Sequence, residues 1–319
     1  MRQSFGTIAA ACALWLAAPA DSQAFSSVFV FGDSLSDTGN VFLATGGALP
    51  AAPYSSGRFT NGPVWIQNLS TSLGLGPVVP SLAGGKDYAF GGATTAFPAT
   101  ASAAVPNVSQ QVGAFVSGLG SNPAPANGLY VVWIGSNDIF GILNSGATPS
   151  VSLANTLGAA QAEANAITTL VSAGARNVLV PLVPDLGKTP GVSGAGASAA
   201  GTALAQAYNN ALKADLAGLV STPGLGLGYL DAFSLLDSAV ANPAGFGLTN
   251  VTAACYIGPY TGGGTSCATP GSYLFWDQVH PSATVHTVLS QAGLAALPEP
   301  GSLLLLIGGL TALAVSRRR

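Results

Sequence analysis

Residues 27–40 read SVFVFGDSLSDTGN, and the fold is decided in this stretch. Residues 27–31 are apolar and rich in β-branched and aromatic side chains, the composition of a short buried strand. Gly32 ends the run, and Asp33, Ser34, Leu35, Ser36 and Asp37 follow at once. A serine just past a buried strand presents its hydroxyl at the edge of a sheet. If a helix follows, its N-terminal amides favour negative charge at the same spot. Ser34 suits a helix cap equally well, and this segment alone leaves the two roles open.

Three further runs repeat the strand pattern: 128–134 (GLYVVWI), 177–183 (NVLVPLV) and, more weakly, 226–230 (GLGYL). Helical patterns lie between and after them. One covers 62–73, with Pro63 near its first turn. Another covers 152–173, Ala-rich, with Leu153, Leu157, Ile167 and Leu170 as its apolar points. The others cover 203–219 and 281–296. Gly/Pro/Ser-rich stretches at 46–57, 96–107 and 189–201 read as loops. Apolar strands alternating with helices predict an α/β domain over 25–297, with a parallel sheet covered on both faces. In such sheets the chemistry lies beyond the carboxyl ends of the strands.

Composition narrows the function. The 319 residues are 49% hydrophobic and only 7% charged, against roughly 25% charged in an ordinary domain. General disorder, which needs low hydrophobicity and high charge, is excluded. Nine residues are Lys or Arg. Four of them are Arg2, Arg317, Arg318 and Arg319, and the remaining five cannot build a basic patch, so nucleic acid is not an expected partner. Two His and three Cys leave little for a metal site. A metal is therefore not expected.

The two ends read as addresses. Residues 1–24 combine Arg2, an apolar run at 8–18 and small residues for cleavage after Ala20 or Ala24, the pattern of a secretory signal. Residues 300–316 carry no charge and precede three arginines, which describes a short membrane anchor with a cytoplasmic tail. Export implies an oxidising compartment, in which Cys255 and Cys267 are expected to pair. Closing so short a loop contributes about 3 kcal/mol in the chain-entropy model.

The strand ends supply candidate catalytic groups. After the second run comes Gly135-Ser136-Asn137-Asp138, where the Asn137 amide can donate to a developing oxyanion or serve as a turn residue. Near the end of the body comes Phe275-Trp276-Asp277-Gln278-Val279-His280. A serine hydrolase in this chain must use His280 or His286, since there are no others. Asp277 lies within one turn of His280 and can fix the ring's tautomer, whereas His286 falls inside a helical pattern and reads as packed against the body or solvated. Asp33 and Asp37 read as loop braces, Asp138 as a brace of its own loop, and Asp185 as a rival carboxylate. Trp133 and Trp276 read as walls. Ser36 lies two residues farther from the strand than Ser34. No Gly-x-Ser-x-Gly elbow surrounds Ser34.

Taken together, Gly32-Asp33-Ser34-Leu35, Lys86-Asp87-Tyr88-Ala89-Phe90-Gly91-Gly92-Ala93, Gly135-Ser136-Asn137-Asp138 and Asp277-Gln278-Val279-His280 resemble, in order, the four blocks of the GDSL family of lipases and esterases in the SGNH hydrolase superfamily. Asp87 stands where many relatives carry Asn. Arg58-Phe59-Thr60-Asn61-Gly62 and Val183-Pro184-Asp185-Leu186-Gly187 also look familial, without an assigned catalytic role. The resemblance implies a flavodoxin-like three-layer α/β/α sandwich with about five parallel strands and a shallow, open site. It also implies Ser34 as nucleophile, His280 as base and Asp277 as orienter, with no metal or organic cofactor. The oxyanion hole would be the Ser34 amide, a glycine amide at Gly92 (or Gly91) and the Asn137 side chain. The expected substrate is an ester, of a lipid or of an acylated small molecule or glycan.

Residues 298–319, with Pro298-Glu299-Pro300, an apolar span and terminal arginines, resemble the PEP-CTERM sorting signal of Gram-negative bacteria. That resemblance implies cutting by an exosortase-type membrane protease, a transient inner-membrane anchor and a periplasmic, cell-surface or secreted product. The expected activity is an exported serine esterase or lipase. Alternatives are an acyltransferase, a deacetylase of surface glycans, or a non-catalytic surface or biofilm protein on a hydrolase scaffold.

Overall fold

A computed structural model describes residues 25–95 and 105–298. The expected secretory signal at 1–24, the first part of the 96–107 loop and the expected sorting signal beyond Pro298 lie outside the described residues.

Four strands, β1 (Ser27–Gly32), β2 (Gly128–Trp133), β3 (Asn177–Pro181) and β4 (Gly226–Leu230), form a parallel sheet in that spatial order. Four strands stand where about five were expected. The fifth place, on the outer edge of β1, is taken by residues 86–90. Val30 N–H donates to the Lys86 carbonyl (3.0 Å), Tyr88 N–H to the Val30 carbonyl (2.7 Å) and Phe90 N–H to the Gly32 carbonyl (3.1 Å). These are parallel-ladder bonds, but the stretch is bounded by Gly84, Gly85, Gly91 and Gly92 and reads as no strand. Counting it second in chain order, the sheet runs 2-1-3-4-5, the flavodoxin-like order.

The helices are α1 (Asn40–Ala44), α2 (Trp65–Ser72), α3 (Val108–Leu119), α4 (Ser136–Asn144), α5 (Pro149–Ser172), α6 (Pro190–Gly194), α7 (Ser198–Leu216), α8 (Ala232–Ala241) and α9 (Ala283–Ala295). Strand alternation sorts them into layers. Phe29 and Phe31 of β1, Tyr130 and Val132 of β2, and Val178 and Val180 of β3 pack with buried residues of α3, α5 and α7. Val28, Val30, Leu129, Val131 and Leu179 point the other way, into a second core with Trp65, Ile66 and Leu69 of α2 and Leu289 of α9. The result is the three-layer sandwich.

The expected helix at 152–173 is α5, but its inner stripe differs. Ile167 and Leu170 are buried, whereas Leu153 and Leu157 are 43% and 42% exposed. Beside Thr156, Glu163 and Val171, the alanines Ala159, Ala160, Ala164 and Ala166 make much of the rest of the buried face. Their lack of bulk brings α5 close to α7.

Helix α3 was not legible in the apolar pattern, because Gly113 and Gly118 interrupt it. Its start does carry a signal: Asn107 Oδ1 accepts from Gln110 N–H and Gln110 Oε1 accepts from Asn107 N–H, both at 3.0 Å, a reciprocal cap.

Two small sheets extend the body. β5 (Asn250–Ala254) pairs in parallel with β8 (Tyr273–Phe275), and β6 (Tyr256–Ile257) pairs with β7 (Thr265–Ser266) as a hairpin. Cys255 and Cys267 are bonded across the base of this hairpin (S–S 2.00 Å). Among the described residues no helix is long and apolar enough to cross a membrane.

The two faces of α5 give a direct test. Ile167→Ala is expected to cost roughly 2–5 kcal/mol, and Leu157→Ala to stay within about 0.5 kcal/mol of wild type. Urea unfolding checks both; equal costs would contradict this orientation of the helix.

Candidate active site

β1 is the switch strand of the sheet: the chain passes to one side for 86–90 and to the other for β2. Ligand crevices form at such a reversal. Gly32 pairs with Trp133, so β1 and β2 end at one level. The turns carrying Ser34 and Asn137 therefore leave the sheet side by side, and Gly92 follows the strand-like segment on the far side of β1.

The segment after β1 makes a single turn that does not continue into a helix. Ser36 and Asp37 N–H donate to the Asp33 carbonyl (3.1 and 3.0 Å), and the first helix starts only at Asn40. Ser34 is thus not a helix cap. Leu35 N–H donates to Asp33 Oδ1 (3.0 Å). Asp37 accepts from the amides of Gly39, Asn40 and Gly91 at 2.6–2.8 Å, so both aspartates brace loops. Burial pushes Asp33 up to about 7, against the pull of the Leu35 amide and His280.

Three distant side chains meet here. Ser34 Oγ lies 2.7 Å from His280 Nε2. His280 Nδ1 lies 2.7 Å from Asp277 Oδ2. The carboxylate fixes the ring hydrogen on Nδ1 and leaves Nε2 as an acceptor for the serine hydroxyl. Asp277 Oδ1 accepts from Val279 N–H (2.9 Å) and His280 N–H (2.8 Å). Burial alone would raise Asp277, but the charge and hydrogen bond of His280, the Val279 amide and the Tyr54 hydroxyl outweigh it and hold the carboxyl below its ordinary value. Asp277 stays ionised in a buried place.

The familial stretch 58–62 helps to set His280. Thr60 Oγ1 donates to the Pro281 carbonyl (2.8 Å), and Asn61 Oδ1 accepts from Ala283 N–H (2.8 Å). These bonds tie the start of α9, just beyond His280, to the chain before α2.

Around Ser34, Gly92 and Asn137 both line the cavity. Gly91 N–H is already committed to Asp37 Oδ2 (2.8 Å), which separates the two glycines. Asn137 Nδ2 donates to the Ala93 carbonyl (2.8 Å), leaving the second amide hydrogen for a ligand. Asp138 accepts from Thr95 N–H (3.0 Å) and Oγ1 (2.8 Å) and from its own backbone amide, so it braces the start of α4 and ties the Thr95 loop to it. Gly135, at φ +109°, sits so close to the Tyr208 ring that an added Cβ would lie 2.4 Å from it. Tyr208 is held in turn by donating to the buried Glu163 (2.7 Å).

The site is deeper than the shallow groove expected. An apolar cavity of about 200 Å³ opens beside Ser34 and runs between α8 and α9, past Leu235, Leu236, Leu274, Val285 and Leu289. Trp133 forms part of its wall, while Trp276 stacks on Tyr256. Ser36 Oγ accepts from Trp65 Nε1 (3.1 Å) and takes no part. Asp185 accepts from Gly187 N–H and Thr202 Oγ1, a brace after β3. His286 is buried, its Nδ1 accepting from Trp65 N–H (3.1 Å). One group at the site escaped sequence reasoning: Tyr54, whose hydroxyl donates to Asp277 Oδ2 (2.7 Å). It lies 223 positions away in the 46–57 loop, with no motif to mark it.

A sheet of this order with this serine, imidazole and carboxylate defines a serine ester hydrolase. The chain belongs to the GDSL-like lipase/acylhydrolase family, whose model matches residues 28–292. It is 27% identical to a phosphatidylcholine-sterol acyltransferase of Aeromonas hydrophila, over 91% of this chain and 96% of that one. It is 28% identical to the esterase EstA of Pseudomonas aeruginosa, over 96% of this chain but only 52% of that protein, so it spans about half of that relative. A solved structure from Veillonella parvula, of the lipolytic G-D-S-L family, superposes with TM-score 0.47 at 13% identity, covering 84% of this chain and 96% of its own.

Burial lowers His286 from 6.5 to about 3. The unfolded chain takes up this proton below about pH 6.5 and the fold does not until about pH 3. The stability tied to neutral His286 is therefore complete above pH 6.5 and is lost as pH falls through that window, at up to about 1.4 kcal/mol per pH unit. His286→Asn keeps an acceptor for the Trp65 amide and removes the titration. Urea unfolding at a series of pH values should show wild type losing ground to this variant on acidification; a constant difference would contradict it.

Proposed function

We propose that this chain is an exported esterase or lipase that cleaves carboxylic esters through an acyl-enzyme on Ser34. The observation that carries the reading is the line of two 2.7 Å contacts from Ser34 Oγ through His280 to Asp277. Ser34 Oγ attacks the ester carbonyl carbon while its proton passes to His280 Nε2. Negative charge grows on the former carbonyl oxygen, where the Ser34 and Gly92 amides and the Asn137 side chain receive it. Collapse expels the alcohol, which takes the proton from Nε2. Water then attacks the acyl-enzyme, gives a proton to the same nitrogen, and releases the acid and the free serine. Asp277 stabilises the imidazolium and stays ionised throughout.

The cavity supports an apolar acyl group. A cavity of about 150 Å³ holds benzene, so about 200 Å³ takes roughly eight carbons. With p-nitrophenyl esters, kcat/KM should rise about fourfold per added methylene to a maximum near octanoyl and fall for palmitoyl. Best activity on acetyl esters would favour the deacetylase instead. Ser34→Ala should lose at least ~10³-fold in kcat and Asn137→Ala about 10²–10³-fold. Full activity in Ser34→Ala would sink the proposal, and wild type inert to esters and to a fluorophosphonate would favour a non-catalytic role.

Similarity to an acyltransferase along nearly its whole length favours a second reading, in which an alcohol replaces water as the acyl acceptor. Product analysis with added alcohol separates the two: transfer exceeding hydrolysis in dilute aqueous alcohol marks the acyltransferase.

Export is supported by residues 1–24, by the 298–319 tail and by the Cys255–Cys267 bond, since disulfides persist in oxidising compartments. Mass spectrometry of the cell-surface or secreted product should find the leader and the residues after about 300 removed. An intact C-terminus there would rule out processing by an exosortase-type protease.

A further inference from the structure

We propose that Tyr54 is a positioning residue for the relay, donating to the carboxylate that orients His280, and that the disulfide-closed hairpin seats it there. The inference rests on the proposed Ser34–His280–Asp277 relay.

Asp277 Oδ2 receives two hydrogen bonds at 2.7 Å, from His280 Nδ1 and from Tyr54 Oη. With the Val279 and His280 amides on Oδ1, all four lone-pair directions of the carboxylate are used. Each donor removes a rotational freedom, and Tyr54 is the one that arrives from outside the 277–280 turn. Its hydrogen bond also withdraws negative charge from the oxygen facing the imidazole.

Tyr54 is built into its place. Its ring meets Tyr256 and Trp276 edge-on, with centroids 5.2 and 5.9 Å away, while Tyr256 and Trp276 stack on each other. Tyr256 opens the β6–β7 hairpin directly after Cys255. The hairpin is anchored on the strand that leads to the triad: Cys255 N–H donates to the Phe275 carbonyl and Tyr256 N–H to the Trp276 carbonyl. Its tip also holds the Tyr54 loop, since Ala51 N–H donates to the Tyr260 carbonyl (2.7 Å). The disulfide, the aromatic cluster and the Tyr54 loop thus form one brace beside Asp277.

Removing the Tyr54 hydroxyl returns charge to Oδ2 and strengthens the Asp277–imidazolium pair. The titratable groups facing that pair are Tyr54, Tyr260, Asp33 and His286. Burial pushes both phenols up and keeps them neutral, His286 is neutral above about pH 3, and Asp33, at about 7, is present in every variant compared.

The experiment is the pH profile of kcat/KM, with KM, kcat and thermal unfolding, for wild type, Tyr54→Phe, Cys255→Ala/Cys267→Ala and the triple variant. Tyr54→Phe should lower kcat about tenfold with KM little changed, and move the acid limb upward by about half a pH unit. The cysteine pair variant should move the limb the same way. The triple variant should show no further shift, because both changes remove one contact. Tyr130→Phe, which loses a hydroxyl bonded to the Pro125 carbonyl at the opposite end of the sheet, should leave the limb in place. An unmoved limb in Tyr54→Phe, whether or not stability falls, overturns the proposal, as does a shift in the triple variant equal to the sum of the others. If Tyr54→Phe does not fold, the limb of the cysteine variant decides in the same way. Ser34→Ala keeps the two readings apart: if it retains activity the relay itself fails, whereas loss there beside a normal Tyr54→Phe removes only the role of Tyr54.

Discussion

The level parallel pairing of β1 with β2, Gly32 opposite Trp133, is the constraint on which the site rests. It admits no side chain at position 32, where a Cβ would stand 2.3 Å from the Trp133 carbonyl oxygen. With the two strands ending together, the Ser34 and Asn137 turns share one rim, and the 86–90 segment brings Gly92 to it from the other side. No single loop builds this rim. Three strand ends do, and the imidazole then reaches it from a turn between β8 and α9. Rigid sheet geometry therefore substitutes for local sequence proximity.

The carboxylates near that rim differ in how burial and hydrogen bonding act on them. Asp277 is held ionised by four donors against the cost of its burial. Asp33, Asp138 and Glu163 lie in the same interior with fewer or weaker partners, and burial raises all three. One carboxylate thus keeps its charge at neutral pH while its buried neighbours tend to lose theirs. Asp277, whose Oδ2 lies 2.7 Å from His280 Nδ1, is the carboxylate placed to orient the ring.

Legibility in the sequence followed the local physics. The four strands could be read because each is a continuous apolar run, and Ser34, Asn137, Asp277 and His280 because each sits just past a strand or in a marked turn. The 86–90 segment could not, since its pairing with β1 depends on backbone bonds that its glycine-bounded, mixed composition does not advertise. Leu153 and Leu157 look like core points by spacing and are exposed, because alanines carry the packing of α5 against α7. The depth of the cavity was hidden for a related reason: its walls come from α8, α9 and β8, and only the assembled fold brings them together. Tyr54 carries no local mark at all, because its importance lies wholly in what the fold sets beside it.

The central claim is that Ser34, and no other hydroxyl, is the activated nucleophile of a relay running through His280. The most direct measurement is tandem mass spectrometry of wild-type protein after reaction with a fluorophosphonate, to locate the adduct. A single phosphonyl group is expected on Ser34, absent when His280 is replaced by Ala. An adduct on Ser36 or another residue, or equal labelling of Ser34 without His280, would contradict it.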